Sequence, residues 1–402
     1  MAGIKAFFAD AAWLDAGRAR NYARIFLGMA IAVAIGWIAA SQGGIDPTGK
    51  PLGTDFTSFW SAVRIAVTGN PADVYRQAVH AAIERSIFDG GDRGYFAFYY
   101  PPIFLLYLLP LGALPYLPAL VLWLAVTGAA AWAAIARLLP GRGWLAAAYP
   151  ATFMTLGHGQ NALLSTALFG AAALTIERRP WLAGISLGAL VYKPQLGLMI
   201  PLLLVAAGRW RVFAAATLTV LGLSLLSWLV FGAGAWTGFL AMSTAARDTL
   251  DGDGVGYHKM VSVFAALRLA GGSVGLAYAG QGLAFAAAAV ALVWQARRWP
   301  GPAQLATLVV ASCLSTPFLL DYDLMLLAVP MAWLLGRGLA DGFLPYEKTV
   351  LAAAFITPLV ARTLAAHTFL QLAPLVVGLL LLVMLQRGRH DAAVSQTSRN
   401  AH

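Results

Sequence analysis

Apolar residues run along this chain in long stretches, broken at short intervals by arginines, prolines and small polar clusters. The first stretch, about Ala23 to Ala40, approaches the ~20 residues that a helix needs to cross a bilayer core. A mixed segment, 42–100, follows. Within it Phe56, Phe59, Trp60 and Val63 recur toward one side of 56–68, which predicts a helix ended by Gly69-Asn70-Pro71. That spacing matches an amphipathic helix lying flat in a membrane interface. A second loop helix is expected over Ala72–Phe88. From residue 101 the chain is almost continuously apolar as far as Gln386.

The breaks in the apolar pattern set the topology. Prolines at 101, 102, 110, 115 and 118 predict a short re-entrant or broken helix, then one span, within 101–136. The later runs are 143–157, 160–177, 181–192, 195–207, 212–232, 276–296, 303–319, 323–336, 349–364 and 368–386. The pairs 143–157/160–177 and 181–192/195–207 are too short for full spans. Their tips should lie below the outer membrane plane, beside a cavity, because irregular backbone at that depth must face protein or water. The expected fold is all-α and polytopic, a transmembrane helix bundle of about twelve spans. Residues 1–22 precede it. Loops 42–100 and 233–275 lie on the outer side. The polar tail 387–402 is expected to be disordered.

Composition narrows the class. Of 402 residues, 60% are hydrophobic and 11% charged, with mean hydropathy +0.73. Soluble domains carry about 25% charged residues, so a soluble fold is excluded. The first 20 residues hold Lys5, Asp10, Asp15, Arg18 and Arg20 and no compact apolar stretch before a cleavage site, so the first run reads as a retained anchor. Cys313 is the sole cysteine, which rules out an internal disulfide and a cysteine metal site. The net charge of +10 does not call for nucleic acid. The arginines sit at span ends (Arg137/Arg142, Arg178/Arg179, Arg209/Arg211, Arg297/Arg298, Arg337, Arg387/Arg389), as cytoplasmic flanks do.

With those flanks inside, the remaining polar residues converge on the outer face. They are Asp55; His158, Gln160 and Asn161; Lys193 and Gln195; His258 and Lys259; and Asp321 and Asp323. Ionisable groups at membrane depth are costly and mark functional sites. Asp55 suits a helix N-cap or a general base, and the two roles are compatible. Arg64 either snorkels to lipid phosphate or binds a substrate phosphate. Tyr99 lies in a run, Tyr95–Tyr100, that forms an aromatic belt or lines a sugar or lipid tail. Lys193, between two half-helices where positive charge is disfavoured, reads as a phosphate ligand. His158, Gln160 and Asn161 satisfy hairpin backbone or contact substrate. His258 and Lys259 form an ordinary loop basic pair, or His258 helps bind a donor phosphate. Asp321 and Asp323 cap the next helix or, with Gln195, contact substrate; a metal site there would rest on a weak Asp-x-Asp signal. No cofactor is called for, and no divalent metal is required.

In their order these motifs resemble glycosyltransferase family 87. They are TDFTSFW from Thr54 to Trp60, Gly69-Asn-Pro with Asp73 and Tyr75, Tyr99-Tyr-Pro-Pro102, Gly159-Gln-Asn161 and Lys193-Pro-Gln195. The resemblance covers roughly residues 20–335. It implies a GT-C-type bundle that resembles polyprenyl-phosphate-mannose-dependent mannosyltransferases, in the bacterial cytoplasmic membrane with its site facing the periplasm. It further implies inverting transfer of a hexose, with mannose expected, from a polyprenyl-phosphate donor to a lipid or glycan acceptor. Asp55 then matches the catalytic base, and Lys193 the family's Lys-Pro. The chain departs at Ser315-Thr-Pro-Phe-Leu-Leu-Asp-Tyr-Asp323, where the family often has a histidine, so the implied contacts do not extend to that turn. Two alternatives are a transporter or flippase of lipid-linked or small polar substrates, and a ligase using a lipid-linked glycan. A transporter would have no need of a long outer loop carrying an acidic residue.

Overall fold

The computed structural model describes residues 2–88, 94–299 and 303–400. Among them the chain is helical, with no β-strand. The N-terminal part comprises α1 (Ala2–Asp10), α2 (Ala16–Ala39), α3 (Phe56–Thr68), α4 (Gln77–Ser86), α5 (Ile103–Leu108) and α6 (Tyr116–Leu138). The middle comprises α7 (Trp144–Ala148), α8 (Pro150–His158), α9 (Ala162–Thr175), α10 (Pro180–Gly188), α11 (Pro194–Gly197), α12 (Ile200–Ala206) and α13 (Trp210–Asp251). The remainder comprises α14 (Val263–Leu269), α15 (Val274–Arg298), α16 (Ala303–Ser315), α17 (Ala328–Asp341), α18 (Glu347–Thr368) and α19 (Ala373–Asn400).

Among the described residues six helical stretches are long and apolar enough to cross a membrane: α2, α6, α13, α15, 321–341 and α18. The chain is a polytopic membrane helix bundle. Shorter apolar helices, 162–175, 180–192, 194–206 and 303–315, fall where short runs were expected. The broken-helix-then-span reading of 101–136 corresponds to α5, a 3-10 turn at Leu109–Leu111, and α6.

Each break near the site has a local cause. Helix α8 stops at Gly159, which takes the left-handed conformation (φ +67°). A Cβ there would stand 2.6 Å from the Phe56 Cβ, so the hairpin tip can pass α3 only with glycine. Pro194 ends the preceding 3-10 turn Ala189–Tyr192 and leaves Lys193 in the gap between helices. Gly232, at φ 76° and ψ 171°, breaks α13. Unbroken, its 42 residues would run about 63 Å, twice the ~30 Å hydrocarbon core.

Four expectations are corrected. First, the apolar face of α3 packs into protein rather than turning to lipid. Phe56, Phe59, Ala62, Val63 and Ile65 are buried in an aromatic cluster with Phe104, Tyr116 and Trp123. Second, the loop helix over Ala72–Phe88 is split into a 3-10 turn, Pro71–Tyr75, and α4. Arg76 is extended between them, which lets the buried Tyr75 donate to the Tyr100 carbonyl at 2.9 Å. Third, residues 233–251 of the expected second loop continue as helix beyond Gly232. Fourth, the tail is helical to Asn400. Arg387 is fully buried, donates through Nε to Glu347 at 2.8 Å and forms an ion pair with it. A buried arginine needs such a partner, and this one is 40 residues away in sequence.

Candidate active site

The corner before α3 is held from several sides. The Tyr116 hydroxyl donates to the Leu52 and Gly53 carbonyls at 2.6 and 3.0 Å. The Asp55 amide donates to the His158 carbonyl at 3.0 Å, and the Trp123 indole to the Gly159 carbonyl at 3.1 Å. The first loop and the 158–161 hairpin tip therefore form one rigid surface. Asp55 occupies the N-cap position of α3, yet its side chain makes no capping bond. It is half-buried and turns into a cavity of about 1850 Å³.

Gln160 fixes that carboxylate. The Asn161 backbone amide, an obligate donor, bonds Gln160 Oε1 at 3.0 Å and so sets the side-chain orientation. Gln160 Nε2 then donates to Asp55 Oδ2 at 2.8 Å and to the Tyr322 hydroxyl at 3.0 Å. The Tyr100 hydroxyl donates to Oε1 at 3.4 Å. Hydrogen bonds to charged groups stabilise by about 1.5–3 kcal/mol each. The Thr54 hydroxyl lies 2.9 Å from His158 Nδ1 and 3.5 Å from Asp55 Oδ1. Among the described residues Asp55 takes part in no ion pair. A carboxylate that is oriented but not neutralised by a cation can still accept a proton.

Two buried carboxylates of the cavity are matched by cations, while Asp46 at the rim accepts from Thr48 and the Lys50 amide. Lys193 and Asp323 are both buried, with Nζ 2.5 Å from Asp323 Oδ1 and 3.4 Å from Asn161 Oδ1. The Leu320 amide donates to Asp323 Oδ2 at 3.2 Å. Asp321, also buried, accepts from the Tyr322 amide at 2.9 Å and pairs with Arg362 Nε at 3.4 Å. No group of three His, Cys, Asp or Glu arranged to hold a metal ion is present among the described residues.

Asp55, Tyr99, His158, Gln160, Lys193, Gln195, Asp321 and Asp323 all line the cavity. Tyr99 also shares a hydrogen bond with Thr249 at 3.1 Å, which joins the aromatic run to the far end of α13. Asn161 is buried behind the wall. Arg64 is outside it: its guanidinium donates to the Gly112 carbonyl at 2.7 Å and lies over the Trp60 ring, clasping α3 to the turn before α6. His258 is not on the lining either. Partial burial, then neighbouring Lys259 and Arg362, lower its pKa. Lys259, which the sequence placed on the outer face without a role of its own, lines the cavity, as does Tyr100 of the aromatic run; Tyr322 and Arg362 also line it and were not expected there. An arginine within the apolar run 349–364 was a signal for Arg362.

One flank of the cavity is apolar. Met29, Val33 and Trp37 form a helical stripe on α2, opposite Leu117, Val121 and Leu124 on α6. On α2 this stripe lies amid side chains largely exposed on the outside of the bundle. A buried polar centre beside an apolar flank, within a membrane bundle, defines an integral-membrane protein with a cavity part polar and part apolar. The family model of glycosyltransferase family 87 matches residues 98–321, more than half of the chain, and the chain belongs to that family. It is a membrane glycosyltransferase, which sets the transporter alternative aside. The match takes in His158, Gln160, Lys193 and Asp321 but not Asp55 or Asp323. No curated protein and no solved structure matches the chain.

Proposed function

We propose that the protein transfers a hexose, with mannose the expected sugar, from a polyprenyl-phosphate donor to a lipid or glycan acceptor at the periplasmic face of a bacterial cytoplasmic membrane. The observation that carries this reading is the Asp55 carboxylate. It is turned into the cavity, oriented by Gln160 at 2.8 Å and matched by no cation within ion-pair distance. In the reaction Asp55 accepts the acceptor hydroxyl proton. The oxygen attacks the anomeric carbon from the side opposite the phosphate and forms the new C–O bond. The bond from that carbon to the phosphate oxygen breaks, and polyprenyl phosphate departs with the electron pair. The configuration at the anomeric carbon inverts.

The apolar stripe of α2 and α6 supports a lipid-borne donor, since it offers a polyprenyl chain a wall continuous with the bilayer. The test uses membranes from an expressing strain, supplied with radiolabelled hexosyl-phosphoryl-polyprenol. Wild type should move label into a new glycolipid or glycan, and Asp55→Asn should not. A wild-type protein that uses only a sugar nucleotide, and leaves the lipid donor untouched, would sink this reading.

A further inference from the structure

The positive charges around the cavity are not equivalent. Lys193 is matched by Asp323 at 2.5 Å. Arg247 faces Asp251 at 3.8 Å and is mostly exposed. Lys50 is exposed at the rim, at the Asp46 turn. Arg362 offers only Nε to Asp321, and no hydrogen bond engages its two Nη groups among the described residues. Lysine 259 is half-buried in the wall and has no carboxylate within ion-pair distance among the described residues.

Its support is fixed. The 3-10 turn Tyr257–Lys259 is tied to the Asp321 segment by the Met260–Leu320 bridge and by the Val261 amide donating to Leu319 at 2.8 Å. Gln371 donates to the Met260 carbonyl at 2.8 Å, and the Tyr257 hydroxyl to the Leu250 and Asp251 carbonyls at 3.0 and 2.8 Å. Burial, and then the like charges of Arg362 and Lys50, make the Lys259 ammonium easier to deprotonate than a free lysine. An ammonium held on a rigid ledge among other cations is unfavourable until an anion arrives. Asp55 and Asp321 also act on it across the cavity, so that anion would rest beside the base.

We infer that Lys259, with the open guanidinium edge of Arg362, binds the phosphate of the lipid donor and stabilises it as the leaving group. Lys193 instead keeps Asp323 neutralised. This inference rests on the proposed polyprenyl-phosphate donor. It assigns the leaving-group charge to a half-buried cavity cation that has no carboxylate partner among the described residues.

The test measures binding of undecaprenyl phosphate and of undecaprenol to the purified full chain in detergent. Wild type should favour the phosphate, with an affinity that falls as salt rises. Lys259→Met should lose about tenfold or more of that affinity, or ~1.4 kcal/mol. Lys259→Arg should retain most of it. Undecaprenol binding, equal in all variants, reports that the cavity is intact; should Lys259→Met change it, Lys259→Gln and the wild-type salt dependence decide the matter. If wild type favours the phosphate and the neutral variants bind it equally well, the inference falls and the donor reading stands. If wild type does not distinguish phosphate from alcohol, the donor reading falls and the inference with it. Phosphatidylglycerol binding as tightly as undecaprenyl phosphate would reveal a general lipid-phosphate site and overturn the assignment.

Discussion

Removing the charge of Lys193 should damage the fold rather than the donor site. Lys193 is 3% exposed and Asp323 1%, with 2.5 Å between their charged atoms. Lys193→Met strands the Asp323 carboxylate in a protein interior. Breaking a buried pair from one side costs about 3–5 kcal/mol, because the remaining charge has lost its compensation. Asp323→Asn on the same background removes the stranded charge and keeps an acceptor for the Leu320 amide, which now bonds Oδ2 at 3.2 Å. The double variant should therefore recover most of the loss, with a coupling energy of roughly 2–4 kcal/mol. The assay is a double-mutant cycle on purified protein, unfolded by graded addition of SDS to mixed micelles. If Lys193→Met is as stable as wild type, or Asp323→Asn fails to restore it, the pair is not structural. Lys193 would then be free to meet substrate directly.

Three further outcomes are expected. Asp55→Asn should lower transfer by about 10²–10⁴-fold while the protein inserts and melts as wild type; near-native turnover would reduce Asp55 to a helix-start residue. With Cys313 first replaced, cysteines at 55, 158 and 251 should react with an impermeant thiol reagent from the periplasmic side, and those at 178 and 298 only after the membrane is opened. Labelling of 178 in intact cells would reverse the orientation. In the first loop, burial raises the Glu84 carboxyl to about 8 and lowers the His80 imidazole to about 4. Folded Glu84 therefore holds a proton that the unfolded chain has already released. Its contribution is full below about pH 4.5 and declines as pH rises through 8, whereas that of His80 is constant above about 6.5. Thermal unfolding between pH 6.5 and 8.5 should show a decline that Glu84→Gln flattens, and an unchanged slope in that variant would refute the argument.

Local signals were strong enough to locate most helices. The aromatic spacing and the Gly-Asn-Pro stop delimit α3 at the residues observed, and the arginine-flanked short runs locate α8 to α12. Pairing was not legible. Nothing near Lys193 announces Asp323, 130 residues on, so an already matched lysine looked like an open one. Lys259 looked like half of a loop basic pair because it follows His258 in a glycine-rich stretch; the bridge between Met260 and Leu320 ties its turn to the cavity wall. The tail read as unstructured because local polarity cannot reveal that Arg387 inserts beside Glu347. Amphipathic spacing in α3 likewise cannot say whether lipid or an aromatic core receives the apolar face.

The break at Gly232 has a mechanical consequence. Beyond it, α13 carries Arg247, Thr249 and Leu250 to the lining, and Tyr99 is bonded to Thr249 there. One wall of the polar centre is therefore the far arm of a membrane-crossing helix, joined to its near arm at Gly232. Moving that arm would need rotation at Gly232 and the parting of the Tyr99–Thr249 contact, of the Tyr257 hydroxyl from the Leu250 and Asp251 carbonyls, and of Phe239 from Tyr75. Any side chain at 232 would oppose the φ of 76°, so a substitution there should shift the wall that carries Arg247 and Thr249, although it lies more than a dozen residues before them in sequence.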